Sequence, residues 1–324
     1  MSEKLLVGVD IGGTKTAVLI SQTPPDVVGR REFPTLPEKG ADHAIRQVID
    51  GIRQLLSTAG AQGIHAIGVS CGSPLDRING VIQSPPNLAT WVNVPIKSIL
   101  EAEFGVACRL ENDANAGAVA EYRFGAGRGS RNMIFITMGT GFGAGVITDG
   151  RLYHGSTDSA GEIGHVRLTR TGPAGYGKSG SAEGWASGGG IAQVAARAVE
   201  LALRRGQQTT LAEIVNAGNS ISAKEVAHAA QQGDAVAHGI LRKTGAKLGE
   251  ALAILIDLFN PDRIVIGGIA MRLGGLILEP ARQVIRREAL PHAAAACEIV
   301  TAELGEGIGD AAALCVAMGL DKHE

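Results

Sequence analysis

Asp10 closes an apolar run and is followed at once by Gly12, Gly13, Thr14 and Lys15, after which a second apolar run begins. A carboxylate at the end of a buried strand costs several kcal/mol unless something compensates it. A hydrated Mg2+ beside a phosphate would do so, while the glycines and the Thr14 hydroxyl bring bare N–H and O–H donors to an anion. The same residues also make an ordinary hairpin with a capping aspartate, so this motif alone leaves both readings open. A second bend of similar build, Gly139-Thr140-Gly141-Phe142-Gly143, carries no charge. Two such bends in one chain point to one polyphosphate held from two sides.

Glu111-Asn112-Asp113-Ala114-Asn115 lies where a buried strand gives way to an Ala-rich helix. An N-cap explains one of Asn112 and Asp113, but not a cluster of four polar residues. The helix macrodipole stabilises an ionised Asp113, which is suited to accept a proton from a hydroxyl as that oxygen attacks phosphorus. Asn112 could hydrogen-bond a neighbouring hydroxyl. Glu162 and His165, in Gly161-Glu162-Ile163-Gly164-His165, and Glu183 after a glycine-rich loop are plain surface residues on one reading. On the other they are the acceptors and donors that grip vicinal sugar hydroxyls. His165 as a lone metal ligand is not expected, because nothing nearby supplies three more ligands. Gly267-Gly268 end a buried strand in a bend that either passes under a flat ring such as adenine or starts a helix.

The elements that must position these residues alternate in type. Strands are expected at 4–12, 15–21, 27–34, 65–71 and 107–111, with helices at 41–57, 96–104 and 113–122. The basic, glycine-rich segment Phe124–Arg131 is the expected hinge between domains. After it come strands at 133–137 and 144–148, a largely helical stretch from 183 to 259, and a strand at 263–266. A helix near 276–290, a strand at 298–303 and a last helix at 310–319 complete the pattern, which is mixed α/β.

A chain of 324 residues accommodates two domains, and 46 glycines with only 3% aromatic residues suit a glycine-punctuated α/β core of small aliphatics. A formal net charge of -2 argues against nucleic acid as a partner. The apolar runs are too short to span a membrane, and MSEKLLVGVD leads straight into a strand without a signal peptide. Cys71, Cys108, Cys297 and Cys315 sit in or beside apolar segments without a C-x-x-C pair. Free buried thiols in a reducing cytoplasm are expected.

Taken in order, the motifs resemble the ROK family of sugar kinases, repressors and related proteins, within the hexokinase–actin-like superfamily. They are DIGGTK at Asp10–Lys15, PNL-x-x-W at Pro86–Trp91, ENDANA at Glu111–Ala116, GTG-x-G at Gly139–Gly143, GE-x-GH at Gly161–His165 and IGG ending at Gly268. The resemblance covers nearly the whole chain. It implies two ribonuclease H-like α/β domains, each a mixed sheet with flanking helices, and an active site in the interdomain cleft. The first domain would span 1–123 and be completed by a C-terminal helix at 310–324; the second would span 124–309. The implied activity is a glucokinase-like, ATP- and Mg2+-dependent transfer of the γ-phosphoryl group to a hexose hydroxyl, the 6-OH in relatives of this kind. On the resemblance Asp113 is the general base, and Gly72, Asn87, Asn112, Glu162, His165 and Glu183 contact the sugar. Asp10, Gly12, Gly13, Thr14, Lys15, Thr140 and Gly141 face the ATP phosphates, with Asp10 reaching Mg2+ through water, and Gly267 and Gly268 line an adenosine pocket. A homodimer is also implied. The alternatives within the resemblance are an N-acetylmannosamine or N-acetylglucosamine kinase, a polyphosphate-using kinase, and a sugar sensor that has lost catalysis.

Two departures modify these expectations. Many members carry a zinc loop, C-x-C-G-x-x-G-C-x-E, before the last sugar-binding glutamate. Here the segment reads AGYGKSGSAE, Ala174 to Glu183, with Ala174, Tyr176 and Ser181 in place of the cysteines. No structural zinc is expected, the loop being held instead by contacts around Tyr176 and Trp185. ROK repressors place a winged helix-turn-helix ahead of DIGGTK, and the nine residues before Asp10 are too few for one, so a repressor is not expected.

Overall fold

The computed structural model describes residues 4–61 and 63–319. From the N-terminus the elements are β1 (Leu5–Ile11), β2 (Lys15–Ser21), β3 (Gly29–Pro34), α1 (Ala41–Ala59), β4 (Ile64–Cys71), the short pair β5 (Leu75–Asp76) and β6 (Val81–Ile82), α2 (Ile96–Phe104), β7 (Cys108–Asn112) and α3 (Asp113–Phe124). Next come β8 (Met133–Met138), β9 (Phe142–Thr148), β10 (Arg151–Leu152), the pair β11 (Ala174–Gly175) and β12 (Lys178–Ser179), α4 (Ala182–Ala186), α5 (Gly188–Arg204), α6 (Leu211–Asn216), α7 (Ala223–Gln231) and α8 (Ala235–Phe259). The chain ends with β13 (Arg263–Gly268), α9 (Ile269–Leu273), α10 (Gly275–Glu288), α11 (Pro291–Ala296), β14 (Glu298–Thr301) and α12 (Ile308–Met318).

Two compact units result, the first comprising residues 1–129, 145–160 and 306–324, the second 130–144 and 161–305. Segment 145–160, expected with the second domain, therefore clusters with the first. The expected C-terminal helix starts at Ile308 and stops at Met318; positions 320–324 lie outside the described residues.

In unit 1 the sheet order is β3-β2-β1-β4-β7. β1 pairs antiparallel with β2 and parallel with β4, and β4 pairs parallel with β7. One face buries Ile45, Val48, Ile52 and Leu55 of α1 against Val18, Ile20 and Val69. α1 ends at Ala59, where Gly60 takes a left-handed φ of 60°, two residues beyond the expected end. Onto the other face packs α12, whose Ala313 and Ala317 lie against Gly68 of β4 so closely that any Cβ there would strike helix backbone. Small residues on both elements permit that approach. β3 starts at Gly29, two residues later than expected: Val27 and Val28 are exposed, and of the regular β2–β3 pairing Val28 keeps a bond from its N–H to the Ile20 carbonyl (2.9 Å).

The second sheet has the order β10-β9-β8-β13-β14, β9 running from unit 2 into unit 1. β13 pairs parallel with both β8 and β14. The long α8 is capped at its start by Asp234, whose carboxylate accepts from the N–H groups of Val236 and Ala237. It stops at Asn260, left-handed at φ 43°, directly before Pro261. Among the described residues no helix is long and apolar enough to cross a membrane.

Candidate active site

Three parallel strands of unit 1 end in one row. Register places Ile11 of β1 beside Cys71 of β4, and Cys71 beside Asn112 of β7. Asp10, the turn at Gly12–Thr14, Gly72 and Asn112-Asp113 are thereby brought to a single edge of the sheet, at the carboxyl ends of its strands, where open α/β sheets bind ligands.

At the first bend Gly12 donates its N–H to the Lys15 carbonyl (3.0 Å), and its own carbonyl accepts from the Thr35 hydroxyl (2.7 Å). Asn87 packs on Gly13 so tightly that a side chain there would collide with it, which places the PNL segment against the bend rather than apart from it. Thr14 is exposed. Lys15, with 66% of its side chain exposed, pairs with Glu32 at 3.1 Å, so its ammonium is held over β3. Arg30 bonds both Glu32 (2.8 Å) and Asp310 (2.7 Å).

Asp10 is a strongly perturbed acid of this edge. Burial pushes its carboxyl up to about 7, and the nearby charges of Asp113 and Asp310 push in the same direction against Lys15 and Arg30. Its carboxylate lies directly against Gly309, at the start of α12. Such an excess of negative charge fits a hydrated divalent cation, which needs only one or two carboxylates when phosphates supply further oxygens. Among the described residues no three His, Cys, Asp or Glu side chains gather as a self-sufficient metal site. Asp310 was missed from sequence, having no motif of its own; only the return of α12 to this sheet reveals it.

Asn112 is the N-cap of α3: its Oδ1 accepts from the N–H groups of Ala114 (2.9 Å) and Asn115 (3.2 Å), and its Nδ2 donates to the Ser73 hydroxyl (2.8 Å). Asp113 is the first residue of the helix, exposed to solvent although protein surrounds much of it. Desolvation raises its carboxyl above the ordinary range, opposed by the Ala114 N–H that it accepts at 2.8 Å. Ser73, tied to Asn112, is a second residue that the sequence did not single out.

Unit 2 assembles its own glycine cluster. At the second bend Gly139 donates to the Gly141 carbonyl (3.0 Å) and accepts from the Gly188 N–H (2.8 Å). Thr140 and Gly141 are exposed. Gly188-Gly189-Gly190 form the first turn of α5, capped by the Ser187 hydroxyl on the Gly190 N–H (3.0 Å). A helix N-terminus beside a glycine bend is an anion-favouring arrangement. Its signal, a serine before three glycines, was present in the sequence and passed over. Gly267 and Gly268 end β13 opposite Thr137 and Met138 of β8, and Gly268 has φ 70° with the Met138 carbonyl against it, a position only glycine fills. Ile269, the next residue, reaches Gly188.

Glu183 turns toward this cluster, its Oε2 accepting the Phe142 N–H at 3.1 Å beside Gly141. Glu162 and His165 are both exposed and flank a 3-10 turn at Ile163–His165, which sits on β9 through the Ala144 N–H to Gly161 carbonyl bond (3.2 Å). The segment Ala174–Glu183 is fastened by Gln193, which bonds both the N–H (2.9 Å) and the carbonyl (2.8 Å) of Ala174. The Trp185 indole N–H donates to the hydroxyl of Thr169, in the preceding loop (2.8 Å). Tyr176, expected to help, is instead largely exposed, its ring edge-on to that of His165 at 6.1 Å.

Mixed sheets with flanking helices define the class: an α/β protein with glycine bends at its strand ends. The chain belongs to the ROK family, whose sequence model matches residues 6–318. It is similar to a glucokinase from Halalkalibacterium halodurans, 34% identical over 313 residues that cover 95% of this chain and 93% of the relative. Among solved structures it is similar to the ROK family glucokinase from Streptomyces griseus in complex with glucose and AMPPNP, with a TM-score of 0.79 and 31% identity over 97% of this chain and 99% of that one. A xylose repressor from Caldicellulosiruptor bescii is 28% identical, matching 87% of this chain and 70% of its own length. The family and the α/β fold expected from the motifs are those found.

Proposed function

We propose that this protein is an ATP-dependent hexose kinase with glucose as its acceptor, transferring the γ-phosphoryl group to the 6-hydroxyl. The observation that carries the reading is the row at the carboxyl ends of β1, β4 and β7, which sets Asp10 and Asn112-Asp113 at one edge beside a glycine bend. Similarity to the glucokinases supports glucose and ATP as the substrates.

Asp113 takes the proton of the attacking hydroxyl, and its raised carboxyl makes it a stronger base than an ordinary aspartate. Asn112, locked as a helix cap, orients the turn that presents Asp113 and is assigned to the sugar. Asp10 would hold Mg2+ through water, and the cation would offset phosphate charge that the protein alone leaves uncompensated. Gly13 and Thr14 at the first bend, which Gly12 closes through its bond to the Lys15 carbonyl, are assigned to the phosphates as neutral donors, as are Thr140 and Gly141 at the second bend; Gly267 and Gly268 are assigned to the adenine. Asn87, Gly72, Glu162, His165 and Glu183 are assigned to the sugar.

The test is ADP release measured across glucose, mannose, fructose, allose, N-acetylglucosamine and N-acetylmannosamine. Glucose should give the highest kcat/KM, and Asp113→Asn should lower kcat at least about 1,000-fold with sugar affinity nearly unchanged. Preference for an N-acetylated sugar would replace glucose as acceptor. Sugar binding by calorimetry without any turnover would make the protein a sensor.

A further inference from the structure

Glu111, the residue before Asn112 in β7, is only 1% exposed, and its carboxylate is engaged on every side. Its Oε1 accepts from the Asn112 backbone N–H (2.9 Å) and from the Asn115 side-chain amide (3.0 Å). Its Oε2 accepts from His154 Nε2 at 2.9 Å. Arg77 Nε lies 3.9 Å from that same oxygen and 3.3 Å from Asp158 Oδ1. A buried carboxylate accepts hydrogen bonds but gives none, so the His154 proton sits on Nε2. None of the outer partners is local: Arg77 comes from the turn between β5 and β6, and His154 and Asp158 from the segment after β10. All belong to unit 1.

What Oε1 holds explains the purpose of the arrangement. Asn112 precedes Asp113, and Asn115 follows it within the first turn of α3, so the two groups clamp the backbone of Asp113 from both sides. Oε1 can hold both only while Oε2 is fixed. We infer that His154 and Arg77 are positioning residues for the base Asp113, acting through Glu111; the inference rests on the phosphoryl-transfer reading above. Without His154, Oε2 keeps only the distant Arg77, the carboxylate rotates toward it, and the clamp on Asn112 and Asn115 loosens. A shift of that kind, on the order of 1 Å at a reacting group, lowers the rate up to about 100-fold.

The experiment compares wild type with His154→Ala, His154→Gln and Arg77→Met by steady-state kinetics in glucose and ATP, together with thermal unfolding. His154→Ala should lower kcat about 10- to 100-fold while the KM for ATP stays within about twofold, because misplacing the base does not touch nucleotide binding. His154→Gln, which restores an N–H donor toward Oε2, should recover most of kcat. Arg77 is 31% exposed, so Arg77→Met should fold and show a smaller loss in kcat of the same kind, and it carries the test if His154→Ala does not fold. Unchanged kcat in His154→Ala or, should that variant be unfolded, in Arg77→Met overturns the inference, as does failure of His154→Gln to recover activity. A lower melting temperature with unchanged kcat would make the network purely structural. Wild type that releases no ADP with any hexose overturns the kinase reading itself, which active wild type beside equally active variants would not.

Discussion

Asp113 and Asp10 share an edge, yet their environments set them to different work. Asp113 is raised by desolvation, so it becomes protonated at a higher pH than an ordinary aspartate. A base must be ionised to act, so kcat/KM for glucose should fall as pH drops through that raised value, and fall earlier than for an unperturbed carboxylate. A pH–rate profile checks this; an acid limb absent down to the ordinary aspartate range would remove Asp113 as the base. Asp10 instead depends on the close approach of α12. Gly309→Ala would drive a methyl into its carboxylate and should lower kcat/KM for ATP up to about 100-fold, whereas Gly307→Ala, which meets open space, should leave it unchanged.

Among the elements, those with strong periodicity or clear punctuation were legible in the sequence. α2 runs from Ile96 to Phe104, and β2 from Lys15 to Ser21, with the bounds read from the sequence. The two-residue pairs β5–β6 and β11–β12 were not, because such short segments carry no period. The first turn of α5 falls inside the stretch expected to be helical, 183–259, but its start was not marked, since glycine is a poor helix former and the Ser187 cap and the α5 packing hold Gly188–Gly190 helical. Ser187→Ala removes that cap and should cost about 1 kcal/mol of stability, read as a lower denaturant midpoint at unchanged slope. If the first turn of α5 also receives phosphate, the KM for ATP should rise in the same variant.

Over the whole molecule the four cysteines are buried and unpaired. Burial lifts Cys108, Cys297 and Cys315 to about 12, and lifts Cys71 further, with the negative charges of Asp113 and Asp10 adding to it. Native protein should therefore react with fewer than one equivalent of a thiol reagent at pH 8, and with all four thiols after denaturation. Rapid labelling of the native protein would show that one of these sites opens.

The sequence by itself determined the family, the α/β class and the residue types of the site. Glycine bends, the helix-starting Asn112-Asp113 pair and strand-ending acids are local devices whose chemistry is set by spacing of a few residues. What only the tertiary structure decided is which of them meet. Parallel pairing of β1, β4 and β7 aligns Asp10 with Ser70 and Glu111, and Ile11 with Cys71 and Asn112, although about 100 residues separate β1 from β7. Packing of α12 on Gly68 delivers Asp310 and Gly309 to Asp10 from the far end of the chain. Burial of Glu111 selects His154 and Arg77 as its partners. Such contacts come from register, helix packing and desolvation, which depend on the whole fold and leave no mark at short sequence range.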